Sequence, residues 1–188
     1  MNKGIELWFP TPFYFATDII SKEENQRVLE ECYNIREQNP DNPHRWACDI
    51  YTSFTTDNLI NNKNFRRLFA AIEDHMDYFS SSLGILGLSC RGSWFNIAGP
   101  KQYQEKHIHP ENRLSLIYYC KTPEGSADTY FNKPYYDMYP LYLNGQSNES
   151  IKYKAEACKL VIFLSNMPHF VPQGTNTDDR VSISANYT

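Results

Sequence analysis

His107 and His109 stand two apart in Glu105-Lys106-His107-Ile108-His109-Pro110, just ahead of the apolar run 114–120. Side chains two apart on a strand share a face, so these imidazoles would point one way and Ile108 the other. Two imidazoles on one face can hold a metal; a solvated strand end is the plainer reading. A mononuclear centre that activates oxygen needs a third neutral or anionic ligand and open positions for its reactants. Of the remaining histidines, His44 lies in the loop Pro43-His44-Arg45-Trp46, and His75 sits beside the apolar stripe of a long helix. His169 follows the apolar run 159–165 through the turn Asn166-Met167-Pro168. Such strand ends commonly carry sites, so His169 is the expected third ligand.

Eleven residues beyond His169, Arg180 opens the run Arg180-Val181-Ser182-Ile183-Ser184. A guanidinium with a hydroxyl two residues on suits a small carboxylate, because Arg makes bidentate charge-assisted bonds and the hydroxyl adds another. An antiparallel neighbour of the His169 strand would bring Arg180 and Ser182 back beside it. The bland alternative for Arg180 is a surface pair with Asp178 or Asp179. Trp94 is read as packing. Neighbours on a strand alternate, so one of Tyr118 and Tyr119 faces inward; Asn96 and Tyr118 are the candidates for contact with a cofactor.

Two helices and a series of strands must position these groups. Ser21-Lys22-Glu23-Glu24 is a capping box, with Glu24 placed to reach back to the Ser21 N–H, and it opens a helix to about Gln38. A second helix is predicted from about Asn64 to Leu83, with Phe65, Leu68, Phe69, Ile72, Met76 and Phe79 on one stripe and Gly84 as its stop. From Leu86 onward, short runs at 88–98, 114–122, 127–132, 151–157, 159–165 and 180–187 read as strands between Gly, Pro, Asn and Asp clusters. Helices followed by strands at this spacing predict an α+β domain on an antiparallel sandwich, and a jelly roll satisfies the count. The Tyr-rich stretch 132–150 is long for a hairpin and is read as a lid or a surface insertion.

Composition bounds the rest. A chain of 188 residues with 21% charged and 41% apolar residues is expected to form a single domain, 1–188, with a helical part at 1–85 and a strand core at 86–188. Net charge of −4 gives no basic field for nucleic acid or an anionic membrane. No run approaches the ~20 apolar residues of a membrane span. Five scattered cysteines without a C-x-x-C spacing, and no secretory leader in Met1–Pro10, predict reduced thiols and a cytoplasmic protein. Exposed strand edges make a homodimer the expected self-association.

The set His107-x-His109, then 114–119, then 160–171, then Arg180-x-Ser182 resembles the iron(II)/2-oxoglutarate-dependent oxygenase superfamily. More narrowly the chain is similar to a subgroup of small oxygenases of marine bacteria and their phages. The matching segments are Phe9-Pro10-Thr11-Pro12, 44–51, Phe65 to Gly84, Trp94-x-Asn96, His107 to Pro110, and Arg180 to Asn186. The resemblance implies a double-stranded β-helix (a cupin-like jelly roll) with the N-terminal helices packed on one sheet. It implies Fe(II) held by His107, His109 and His169, and 2-oxoglutarate as co-substrate, its far carboxylate on Arg180 and Ser182. It implies O2 as reactant and hydroxylation of a small molecule or protein side chain. The superfamily usually places Asp or Glu where His109 stands, so this site would be neutral and would bind iron(II) less tightly. A rival register takes His109-Pro110-Glu111 as the ligand pair, with Glu111 as the carboxylate and His107 behind it. The competing functions are a cupin-type metalloprotein acting without 2-oxoglutarate and a non-catalytic jelly-roll binding module.

Overall fold

The computed structural model describes residues 11–40, 46–56, 58–134, 142–143, 146–147 and 150–188. His44, Phe9 and Pro10, and the central part of the Tyr-rich stretch lie outside the described residues. In chain order the elements are β1 (Phe13–Thr17), α1 (Lys22–Gln38), β2 (Tyr51–Thr52), α2 (Arg66–Ser82), β3 (Cys90–Ala98) and β4 (Gln104–His107). They continue with β5 (Leu114–Lys121), β6 (Thr129–Asn132), β7 (Tyr142–Leu143), β8 (Gln146–Ser147), β9 (Ser150–Tyr153), β10 (Lys159–Leu164), β11 (His169–Val171) and β12 (Arg180–Tyr187).

Both helices stop and start on local chemistry. The Ser21 hydroxyl accepts the Glu24 N–H at 3.2 Å, satisfying one orphan donor of the first turn. The reciprocal half of the capping box does not form: the Glu24 carboxylate turns outward to Arg27 at 3.1 Å and Arg67 at 3.2 Å. A 3-10 turn, Lys63–Phe65, leads into α2. At its other end Gly84 takes φ +70°, and the Ile85 and Gly84 N–H groups return to the Ser80 and Ser81 carbonyls. That pair of bonds is a Schellman cap, which needs the left-handed conformation glycine supplies at least cost.

Two antiparallel sheets face each other. The larger runs β1-β10-β5-β12-β3-β2 and the smaller β4-β11-β6-β9. Eight of these strands, four per sheet, make the double-stranded β-helix; consecutive ones switch sheets except at β6 and β9, which pair as neighbours in the smaller sheet. Two strands from the N-terminal part, β1 and β2, form the edges of the larger sheet, so that part is not purely helical.

Strand alternation gives the larger sheet two distinct faces. Leu114, Leu116, Tyr118, Leu160, Ile162, Val181, Ile183 and Tyr187 point outward to α1 and α2, where they pack with Val28, Cys32, Leu68, Ile72 and Met76. Ile117, Tyr119, Val161 and Phe163 point inward, with Phe131 of β6 and Met167 in the same cluster. The inward file of β12 is polar: Arg180, Ser182, Ser184 and Asn186, all buried. Among the described residues no helix is long and apolar enough to cross a membrane.

Candidate metal centre and carboxylate pocket

His107 closes β4 and His169 opens β11, and the two are direct register partners across the smaller sheet. His109 lies two residues past the end of β4, not on a strand. Its N–H donates to the Ser165 carbonyl at 2.9 Å, which ties it to the segment leading into β11. One potential ligand nitrogen from each of the three rings lies within 4.8 Å of the others.

The hydrogen bonds decide which nitrogens are free. His107 Nδ1 lies 2.8 Å from the Glu105 carbonyl, and His169 Nδ1 lies 3.0 Å from the Met167 carbonyl. A carbonyl only accepts, so each Nδ1 carries the proton and each Nε2 keeps its lone pair. Neither ring nitrogen of His109 has a hydrogen-bond partner among the described residues. Burial holds the His107 pKa below the usual imidazole value. It takes His109 down to about 4 and His169 to about 3, with His107 as the next contributor to each. All three rings are therefore neutral at pH 7, as ligands to a divalent ion must be.

Arg180 shares a small cavity with the three histidines, Trp94, Gln104 and Ser182. It is 6% exposed. Its Nη1 donates to Ser182 Oγ at a long 3.5 Å and its Nη2 to Thr129 Oγ1 at 3.4 Å, while Nε has no acceptor among the described residues. The guanidinium carbon sits 5.3 Å from the Tyr119 ring centre. No carboxylate among the described residues pairs with it. Asp178 pairs with Lys121 at 2.7 Å and Asp179 with Arg36 at 3.3 Å, so neither makes the surface pair weighed for Arg180. Asp128, whose charge reaches Arg180, accepts the Ala155 N–H at 2.9 Å and meets Lys152 at 3.3 Å. A buried guanidinium held by long hydroxyl contacts alone is a costly arrangement that an incoming carboxylate would relieve.

Several expectations are corrected in detail. Arg180 and Ser182 do not lie on a strand next to β11: β12 belongs to the larger sheet, between β3 and β5, and reaches the histidines across the sandwich. Tyr118 faces the helices, where its hydroxyl donates to Asn25 Oδ1 at 2.8 Å, far from any cofactor contact. Tyr119 takes the inward face, its hydroxyl 2.9 Å from Thr129 Oγ1. Glu111 stands in a turn at φ +72°, exposed to solvent and outside the histidine cluster. Strand pairing has already ended at His107, and the turn after Pro110 keeps Glu111 out of the cluster. Asn96 is the register partner of Ser182, and its buried Oδ1 has no hydrogen-bond partner among the described residues. It lines a second small cavity that meets the first at Arg180.

Sequence reasoning missed Thr129 and Trp46, and it took Tyr118 where the inward residue of the pair is Tyr119. Trp46 stands edge-on to His107 with ring centres 4.7 Å apart. The segment that carries it is tied to β4 and the loop before it: Glu105 accepts the Ala47 N–H at 2.7 Å, and Gln102 donates to the Asp49 carbonyl. No local signal distinguishes such residues from ordinary packing; only the topology assembles them. His75 is engaged elsewhere, 2.7 Å from the Tyr14 hydroxyl.

A family model described as "Putative 2OG-Fe(II) oxygenase" matches residues 92–186, just over half of the chain and every strand from β4 to β11. No curated protein matches by sequence. Among solved structures, a prolyl-4-hydroxylase from Pseudomonas putida superimposes with TM-score 0.65 at 15% identity, over 94% of this chain and 92% of that one. A Trichoplax adhaerens prolyl hydroxylase, in complex with a hypoxia inducible factor peptide fragment, gives TM-score 0.70 at 12% identity, over 93% and 82%. The viral collagen prolyl hydroxylase of Paramecium Bursaria Chlorella virus-1, in complex with 2OG, gives 0.64 at 10% identity, over 93% and 94%. At these identities the likeness speaks for the fold.

Proposed function

This chain belongs to the iron(II)- and 2-oxoglutarate-dependent oxygenases, and from that premise we infer that His107, His109 and His169 hold the iron while Arg180 anchors the co-substrate. The enzyme uses iron(II), 2-oxoglutarate, O2 and a substrate. When bound, the metal and co-substrate supply the chemistry: decarboxylation of 2-oxoglutarate to succinate and CO2, coupled to oxidation of a substrate C–H.

The observation that carries the reading is the shared cavity: three neutral imidazoles and one buried guanidinium without a carboxylate line the same space. His107 and His169 would bind through Nε2, their rings fixed by the Glu105 and Met167 carbonyls. Arg180 would take the far carboxylate of 2-oxoglutarate, with Ser182 and Thr129 adding hydroxyl donors and Asn96 its amide. Tyr119 would support the anchor by packing beneath the guanidinium and orienting Thr129. Three histidines leave the ligand set without negative charge, so iron(II) affinity should fall below that of a site with an acidic ligand.

Free thiols at all five cysteines support a reducing compartment, the cytoplasm. The outer edge of β9, with Ile151 67% exposed, is the strand edge best suited to pair two copies, which sedimentation across a concentration series would detect. The substrate would be a small molecule or a protein side chain.

Anaerobic iron(II) plus 2-oxoglutarate should give a weak visible absorption band. His169→Ala should abolish it while leaving a native-like melting curve. Absence of the band in correctly folded wild-type protein would overturn the assignment.

A further inference from the structure

The Trp94 indole lines the same cavity as the three histidines and is 3% exposed. Its Nε1–H has no hydrogen-bond partner among the described residues. Leaving a buried donor unmatched costs about 1–3 kcal/mol, and native structures rarely tolerate it without reason. The ring itself is well held. Phe54 packs against it edge-on at 4.9 Å and 88°, and its strand position is fixed opposite Ser184 by the β3–β12 ladder. With no acceptor among the described residues, what the cavity receives is the natural partner for this donor.

The ladder fixes where Trp94 stands relative to the anchor. Arg180 pairs with Ala98, Ser182 with Asn96, and Ser184 with Trp94. Same-face positions repeat about every 6.8 Å along a strand, so Trp94 lies two such steps from the Arg180 rung. The two side chains nonetheless line one cavity, so the rung spacing separates their backbones and not the ligand atoms they can reach. Trp94 adjoins His109, with ring centres 5.8 Å apart, at the metal-ligand end of that cavity, where the reacting C–H must come. Phe54, packed edge-on against Trp94, is 64% exposed, so Trp94 stands one side chain from the surface.

We propose that Trp94 is a specificity-determining residue, whose indole N–H donates to a carbonyl-type acceptor on the primary substrate, next to the C–H that is oxidised. Indole is a donor only, so it selects a group with a lone pair and gives nothing to one that can only donate. The substrate therefore carries a lone-pair acceptor at that position, of which an amide carbonyl is the neutral case tested below. This deepens the oxygenase reading and rests on it.

The test uses wild-type protein carrying zinc(II) in place of iron, labelled with 15N-tryptophan, with zinc and 2-oxoglutarate binding first established by calorimetry. Trp94→Phe assigns the Trp94 indole resonance by its loss. Adding 2-oxoglutarate should leave the Trp94 indole proton without a downfield shift. Subsequent titration with N-methylacetamide, a minimal carbonyl acceptor, should move it downfield and saturably. If 2-oxoglutarate binds but the amide produces no saturable downfield shift, the Trp94 inference fails and the oxygenase site stands. A downfield shift on 2-oxoglutarate alone reassigns the donor to the co-substrate and also overturns it. Failure of 2-oxoglutarate to bind removes the site reading and this inference together.

Discussion

His107 and His169 face each other as cross-strand partners, ring centres 4.2 Å apart, each with its Nδ1 proton held by a backbone carbonyl two residues earlier in its own chain segment. The same i to i−2 arrangement on two adjacent strands presents both Nε2 atoms without any side-chain partner. His107→Ala and His169→Ala should therefore each weaken iron(II) or manganese(II) binding by more than the 10–100-fold typical of lost supporting residues. Calorimetric titration reads this directly. Glu111→Gln, by contrast, should leave metal affinity unchanged.

Acid should destabilise the metal-free protein through these rings. Their folded pKa values lie below the unfolded value near 6.5, at about 4 for His109 and about 3 for His169. The unfolded chain thus binds more protons, and stability rises with pH across that window. It is fully present above about pH 6.5 and is lost as pH falls through 6.5 toward 4. Urea midpoints measured at pH 7.5, 6 and 5 should fall in that order, and His109→Gln should flatten the trend.

Arg180 should trade stability for binding. Arg180→Met removes a buried cation that lacks a carboxylate partner, so the variant should melt no lower than wild type in the absence of 2-oxoglutarate. Its 2-oxoglutarate affinity should drop about 100-fold, in line with losing a charge-assisted anchor worth roughly 3 kcal/mol. Metal affinity should be nearly unaffected. Thermal melts with and without 2-oxoglutarate separate the two effects.

Adjacent tyrosines should behave oppositely. Tyr118→Phe leaves Asn25 Oδ1 without its donor in the helix-facing core and should cost about 1–2 kcal/mol of stability, with 2-oxoglutarate affinity intact. Tyr119→Phe breaks the chain from its hydroxyl through Thr129 to Arg180 and should weaken 2-oxoglutarate several-fold. Denaturation and binding isotherms on the pair make the comparison.

The helices and the long strands were legible because their signals are local. Ser21 and Gly84 mark helix ends, and β5, β10 and β12 alternate or run apolar over six to eight residues. The short strands were not. The β4 run Gln-Glu-Lys-His is polar throughout, β11 has three residues, and β1 and β2 become strands only by joining sheet edges. For the site, residue types and spacing were enough to single out His107, His109, His169 and Arg180, which the fold brings to one cavity. How Arg180 reaches it depends on strand order between two sheets, which no spacing along β12 encodes. The choice between Tyr118 and Tyr119 likewise needed the register, because alternation states that they differ without saying which is inside.

Along β12 the side chains divide strictly: Val181, Ile183, Ala185 and Tyr187 belong to the helix-facing core, and Arg180, Ser182, Ser184 and Asn186 to the interior of the sandwich. One strand thus serves two masters whose requirements never fall on the same residue. The interior file can be rewritten for a different co-substrate or substrate without disturbing the helical layer, and the outer file can drift in volume without touching the chemistry. A lineage carrying this strand could change what it oxidises and how stable it is as separate traits, on alternate letters of an eight-residue stretch.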